Sequence, residues 1–560
     1  MKLPVGISDF KELIEGNYTF CDKSLFIKDI INDGAKVILI TRPRRFGKTL
    51  NLSMLEYFFS LNHHHESNKN LFEGLEISKD QPFCTQHQHQ YPVIFISFKD
   101  IKQSTYDEAL EDIKEVMSEL YENHSYLLEE EILSESEKEE YNRILNKSAK
   151  AADIRSALKR LSKYINQKFN TQPILLIDEY DTPIQEAYLK NYYQEMIDLM
   201  RSILGQALKD NKYLGKAVIT GITRIAQESL FSGLNNIEVY SLLRQDYGQY
   251  FGFLEEEVLK LINETQTDAS ISSIKEWYNG YQIGKYVLYN PWSIISCLKN
   301  KGQLQPYWIN TSSNELIARL LTKAKPSIKT QFEELLQGNI IERPLSQNLV
   351  FSKIETHEDA LWSLLFYAGY LKVLSYKPEN YQQLAKIAIP NKEIRLVYDE
   401  IVAGWFQQID VDLYRDFIQS LANADTDKFK KYLSDYMMQS TSFFDFNTNT
   451  PEQVFHVFIL GLVVGLRNQY YIHSNQESGL GRFDVIFIPK NKKEKGILLE
   501  FKKSTTADFL LNNAQEALEQ IKDKYYLEIF KQHSITEVLA IGLAFFGKQV
   551  ELVSENIQLV

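Results

Sequence analysis

Four short apolar runs punctuate the first half of the chain: Val37–Ile40, Val93–Phe98, Ile174–Ile177 and Ala217–Ile219. They are too short for helices and are separated by stretches whose apolar positions recur at helical spacing. Continuous apolar runs of this kind fit strands covered on both faces, so residues 1–265 are expected to form an α/β domain built on a parallel sheet. Between the second and third runs, Glu122 to Asn146 is dense in Glu with Leu and Ile interspersed, the pattern of a solvated helical insertion.

Residues 266–445 are mostly helical in pattern and are expected to form a lid or linker region. Aromatic islands interrupt them at Trp277-Tyr278-Asn279-Gly280-Tyr281, Tyr289-Asn290-Pro291-Trp292 and Leu365–Tyr370. The Asn-Gly and Asn-Pro pairs mark turns, and the aromatics are expected in the core. A polar stretch, Asn447–Pro451, then precedes a new helix-then-strands pattern. That shift places a third domain at 446–560.

A chain of 560 residues is too long for one hydrophobic core. Its 44% hydrophobic and 24% charged residues are those of a globular protein. The three cysteines, Cys21, Cys84 and Cys297, fit neither a disulfide framework nor a zinc site, which suits a reducing compartment. The longest apolar run, Val454–Leu466, contains His456 and two glycines and is too short to span a bilayer. No membrane partner is expected, and a cytoplasmic location is. The net charge of −12 argues against a protein that coats nucleic acid, because Lys and Arg supply most non-specific affinity. From Phe446 onward, however, 12 Lys and Arg face 13 Asp and Glu, so this part is near neutral.

The first apolar run leads into Arg42-Pro43-Arg44-Arg45-Phe46-Gly47-Lys48-Thr49, followed by a helix-like segment. Gly47, Lys48 and Thr49 are in register for a phosphate-binding loop, whose backbone N–H groups wrap phosphates while the Lys reaches their terminal oxygens. Arg42 stands where such loops usually begin with Gly, and Pro43 fixes one φ angle. Arg42, Arg44 and Arg45 are expected around the phosphates. The third run ends in Asp178-Glu179: with Thr49, Asp178 would hold magnesium, and Glu179 would act as general base on the attacking water. The fourth run ends in Thr220-Gly221-Ile222-Thr223-Arg224, and Arg224 is placed either to stabilise transition-state charge or to pair with Asp178 or Glu179. ATP with Mg2+ is the expected ligand.

Together with Leu3–Gly6, Asp22-Lys23-Ser24, Ile177-Asp178-Glu179-Tyr180-Asp181 and Phe231–Asn236, this loop resembles one family over nearly the whole chain. The family is the AAA-ATPase-like proteins that carry a C-terminal PD-(D/E)XK nuclease-superfamily domain. The resemblance implies a P-loop NTPase sheet, a helical middle and a C-terminal α/β restriction-endonuclease-like domain. It also implies roles there: Asp484 and Glu500 on adjacent strands and Glu452 on the preceding helix would hold Mg2+ or Mn2+. Lys502, two residues after Glu500, would place water, and Gln520 on the following helix, near Tyr525, would support the site. A carboxylate set in an apolar strand is costly unless it binds something.

Two function classes follow. One is an ATP-regulated nuclease acting on DNA rather than RNA, with a homo-oligomer as one way to lengthen its binding track. The other is a signalling or scaffold ATPase whose nuclease-like domain is an inactive docking module, with Asp484, Glu500 and Lys502 forming a buried ion-pair cluster.

Overall fold

The computed structural model describes residues 2–61, 68–129, 132–225, 236–267, 269–308, 313–322, 324–336, 338–346, 351, 354, 357–379, 382–407, 411–439, 459, 463, 466, 469–474, 477–478, 481–482, 484–523 and 526–559. The chain divides into two compact units, one of 1–310 with 342–393 and the other of 311–341 with 394–560. The stretch 266–445 is thus shared between them.

The first unit is organised by a five-stranded sheet of β1 (Val37–Thr41), β2 (Val93–Ser97), β3 (Ile174–Asp178), β4 (Lys216–Gly221) and β5 (Ile237–Tyr240). Their order is β2–β3–β4–β1–β5, with every neighbouring pair parallel. All residues of β1 and β3 are buried, as expected for strands with helices on both faces. Four of the strands fall on the expected apolar runs. The fifth, β5, escapes the pattern because Ile-Glu-Val-Tyr is an edge strand and only Tyr240 is buried. Because β4 lies between β1 and β3, the carboxyl ends of three strands open on one place.

The Glu-rich insertion is helical at Glu135–Leu145, where Ser134 and Glu137 form a capping box. It is docked as well as solvated: Tyr141 is fully buried, its ring lies 4.6 Å from that of Tyr121 at a tilt of 53°, and it donates its hydroxyl to the Tyr121 carbonyl. Later in this unit come the hairpin of β6 (Tyr281–Ile283) and β7 (Tyr286–Leu288), then the sheet formed by β8 (Ile341–Leu345), β9 (Lys372–Glu379) and β10 (Gln382–Ala388). Tyr278, Tyr289, Tyr367 and Tyr370 are buried, as aromatics in a core should be. Glu393 is buried among them. It accepts bonds from Ser293 Oγ at 2.8 Å and from the Trp308 amide at 3.0 Å, and burial pushes its carboxyl up to about 7.

The second unit contains helices Ser313–Thr322, Pro326–Leu336, Val411–Ala422 and Thr426–Gln439, and a mixed sheet. In that sheet β11 (Tyr470–Ser474), β14 (Val485–Pro489), β15 (Gly496–Lys503), β16 (Glu537–Phe546) and β17 (Gln549–Gln558) lie side by side in this order. The short pair β12 (Glu477–Ser478) and β13 (Gly481–Arg482) stands apart. Only β15 and β16 are parallel, and the helix Leu510–Asp523 makes the crossover between them. It lies so close to β16 that a Cβ on Gly542 would come within 2.2 Å of the Ala514 carbonyl oxygen.

Gly542→Ala should therefore lift this helix and lower stability by about 1–3 kcal/mol. A lower unfolding midpoint with faster hydrogen exchange in Leu510–Asp523 is expected, and an unchanged midpoint would refute the tight fit. At Glu393 the folded state holds its proton more firmly than the unfolded chain, whose carboxyl titrates near 4.5. Stability should thus fall as pH rises from about 4.5 to about 7 and be level above that. Glu393→Gln keeps an acceptor and removes the titration. Its melting temperature should exceed that of the wild type at pH 8 and converge with it at pH 5. Glu56, beside Asp9, is also raised to about 7 and will leave a residual slope.

Candidate functional site

The loop between β1 and the helix Lys48–Phe59 turns through two left-handed residues, Arg45 at φ 65° and Gly47 at φ 82°. Alternating backbone of this kind turns N–H groups inward, and the helix N-terminus adds its dipole, so the loop suits an anion. The loop is seated from outside: the Phe46 ring meets Tyr281 edge-on at 4.9 Å, and a Cβ on Gly369 would lie 2.9 Å from Pro43 Cβ. Lys48 is buried, with Nζ donating to the carbonyls of Arg42 at 3.2 Å and Pro43 at 3.0 Å. Burial lowers its pKa, against the pull of Glu179, Asp178 and Asp181.

The three arginines have separate fates. Against the expectation that Arg42 faces phosphate, its guanidinium is fully buried and donates to the carbonyls of Thr41 at 2.8 Å, Tyr240 at 2.8 Å and Asp246 at 3.1 Å. It bolts the end of β1 to β5, and burial lowers its pKa to about 9. Arg45 lies 4.0 Å over the Trp292 ring and donates to the Tyr307 carbonyl at 3.3 Å. Arg44 is half-buried and electrostatically close to Lys48 and Arg45.

Asp178 closes β3 and is wholly buried. Thr49 Oγ1 donates to its Oδ2 at 2.7 Å and Thr220 Oγ1, from β4, to its Oδ1 at 2.6 Å. Burial, then the charge of Glu179, raises its pKa, while the two hydroxyls and Lys48 pull it back. An acidic oxygen pair gripped by hydroxyls beside a lysine is the donor set a hard cation and a phosphate prefer. Glu179 follows at φ 49°, a left-handed conformation unusual for a side chain this long, and accepts from Thr182 Oγ1 at 3.1 Å. Arg224 is half-buried and forms no ion pair with Asp178 or Glu179 among the described residues. Its Nε is buried without a hydrogen-bond partner there.

A cavity of about 300 Å³ adjoins the loop, lined by Lys48, Thr49 and Glu179 together with the apolar side chains of Ile7, Phe20, Phe253 and Trp292. Asp9 fixes the N-terminal wall by accepting from Tyr57 and Ser53 on the phosphate-loop helix. Asn290 caps the helix that carries Trp292. Trp292 is thus a cavity residue rather than core. Its turn, Asn290-Pro291, was visible in the chain, but nothing local reveals that it meets the N-terminus.

In the second unit Asp484 stands just before β14 rather than inside it, and Glu500 and Lys502 lie on β15. The two carboxylates converge by crossed bonds: the Phe501 amide donates to Asp484 Oδ2 at 2.7 Å, and the Asp484 amide to Glu500 Oε2 at 3.3 Å. Gln520 Nε2 donates to Glu500 Oε1. Lys502 does not join a cluster with these acids; its Nζ lies 3.4 Å from Glu516 on the crossover helix. Glu452, expected as a third acid, lies outside the described residues, as do Tyr525 and Phe231–Asn235. Among the described residues no group of three or more His, Cys, Asp or Glu is arranged to hold a metal. None of their helices is long and apolar enough to cross a membrane.

Residues 4–231 match the family model described as Predicted AAA-ATPase, and residues 450–555 match that of the PD-(D/E)XK nuclease superfamily. The chain is also similar to a protein of Azotobacter chroococcum mcd 1 named "Uncharacterized protein in vnfD 5'region". The two are 25% identical over 401 residues, which cover 71% of this chain and 69% of the relative. The phosphate loop and the Asp178-Glu179 pair fall in the first matched span, and Asp484, Glu500, Lys502 and Gln520 in the second. The chain thus carries a predicted AAA-ATPase-like domain at residues 4–231 and a domain of the PD-(D/E)XK nuclease superfamily at residues 450–555.

Proposed function

We propose that this protein binds and hydrolyses ATP at the carboxyl ends of β1, β3 and β4, and that its C-terminal domain cleaves DNA with the help of a divalent metal. The observation that carries the first part is the grip of Thr49 and Thr220 on Asp178 beside buried Lys48. Lys48 and Thr49 line a cavity together with Glu179 and the apolar Ile7, Phe20, Phe253 and Trp292, a mixture that suits a ligand with a charged part and a flat, apolar part.

In this reading the N–H groups of Gly47, Lys48 and Thr49 wrap the phosphates, and Lys48 offsets their charge. Arg44 and Arg45 flank them; Arg42 does not take part. Glu179, oriented by Thr182, accepts a proton from the attacking water, and Arg224 stabilises charge on the transferred group. Magnesium, held through Thr49 and Asp178, would neutralise charge on the phosphate oxygens.

In the C-terminal domain Asp484 and Glu500 are close enough to repel one another, and a shared Mg2+ or Mn2+ would relieve that while activating water. Lys502 would leave Glu516 to orient the water. Gln520 keeps Glu500 in place. The near-neutral charge implies weak capture of nucleic acid and salt-sensitive cleavage.

Lys48→Ala should abolish ATP binding, whereas Glu179→Gln should retain it and lose about 10²- to 10⁴-fold in turnover, the usual worth of a general base. Equal nucleotide affinity in wild type and Lys48→Ala, by calorimetry, would refute the assignment. Asp484→Ala and Lys502→Ala should each remove magnesium- or manganese-dependent DNA cleavage and leave ATP hydrolysis intact. If the wild type cuts neither DNA nor RNA with either metal and any nucleotide, and calorimetry detects no metal, the domain is the docking module of the alternative reading.

A further inference from the structure

Two side chains next to Glu179 have no role in the chemistry above, yet they make a dense set of bonds to one segment of chain. Tyr180 is fully buried; its hydroxyl donates to the Thr223 carbonyl at 2.7 Å and accepts from the Ile225 amide at 3.1 Å. Asp181 is also fully buried, and its Oδ2 accepts from the Ile222 amide at 2.9 Å, the Thr223 amide at 3.0 Å and Thr223 Oγ1 at 3.2 Å. Gln185 holds the same oxygen from behind at 2.8 Å. The Tyr180 amide adds a bond to the Thr220 carbonyl at 3.2 Å.

We propose that Tyr180 and Asp181 are positioning residues that clamp the segment Gly221–Ile225 to the end of β3, so that Glu179 and Arg224 keep one fixed relation across the nucleotide site. This rests on the ATPase reading above.

Three further observations favour a clamp over plain packing. A buried carboxylate is an expensive way to fill a core, and an apolar side chain of like size would serve better. What a carboxylate adds here is a grip on two successive amides, which dictates the backbone path leading to Arg224. Second, β4 has been cleared to admit the clamp: a Cβ on Gly221 would lie 2.7 Å from Asp181 Oδ1 and 2.7 Å from Tyr180 Cε1. Third, Glu179 sits in left-handed backbone, which persists only where its surroundings over-determine it. On one side of Glu179 is the pairing of Ile177 with Ile219, and on the other are the anchors of Tyr180 and Asp181. The sequence Asp-Glu-Tyr-Asp thus divides into two residues for chemistry and two for geometry.

Tyr180→Phe tests this with almost no change in volume. It should speed hydrogen exchange at the Ile225 amide and lower kcat for ATP by about 10- to 100-fold, the cost of a small misplacement. Binding of ATP and ADP should stay within about twofold, since ground-state contacts are untouched. Asp181→Ala should expose the Ile222 and Thr223 amides to exchange, and Asp181→Asn, which retains one acceptor oxygen, should recover part of both protection and turnover. If Asp181→Ala does not fold, Tyr180→Phe and Asp181→Asn carry the test. Wild-type kcat or wild-type exchange at Ile225 in Tyr180→Phe would overturn the clamp. So would parallel losses of nucleotide binding and kcat, the mark of a merely destabilised fold. Exchange is read without nucleotide. A wild type that hydrolyses no ATP would therefore defeat the ATPase reading while the clamp is still judged on its own.

Discussion

The first unit is built around the need to bury charge at the end of an apolar sheet. Lys48, Asp178, Asp181 and Arg42 are each less than one-tenth exposed, and a buried ion without partners would unfold or neutralise itself. Each is met differently. Asp178 takes two hydroxyls, Asp181 takes amides, Lys48 takes carbonyls of its own loop, and Arg42 takes three carbonyls from two strands and a turn. The opposite pKa shifts of Lys48 and Asp178 have one origin, since low dielectric disfavours both charges and each charge favours the other.

The Arg in place of the usual first Gly of the loop becomes intelligible in this frame. A Gly there would leave the end of β1 joined to β5 by strand pairing alone, whereas Arg42 reaches across to Tyr240 and Asp246. The loop is then closed from outside by Phe46 on Tyr281 and Pro43 against Gly369, so residues far along the chain hold it in shape. Rigid support of this kind is what positions a phosphate site before a ligand arrives.

The C-terminal site has a different economy. Its two acids are joined by crossed backbone bonds, the Phe501 amide to Asp484 and the Asp484 amide to Glu500, which fixes their relative position. The close seat of the crossover helix on Gly542 brings Gln520 to Glu500 and Glu516 to Lys502.

Much of this was written in the chain. Apolar runs of Val and Ile located four strands, and a Gly-Lys-Thr after one run and an Asp-Glu after another named residues that the fold brings together, because strand length and residue chemistry are local properties. Asp484 and Glu500 were likewise legible as neighbours on adjoining segments, whereas Lys502, expected beside them, lies against Glu516 instead. Tertiary structure alone decided who meets whom. Thr49 and Asp178 are 129 positions apart, and Thr220 reaches Asp178 only because β4 lies between β1 and β3. No periodicity records strand order, so the cavity wall of Ile7, Phe20 and Trp292 could not be read in advance. Arg42 is the sharpest case: its sequence context spoke for phosphate, and the burial of its guanidinium under β5 sent it to backbone carbonyls instead. Residue type sets what a side chain can bind; only the fold sets which partner is within reach.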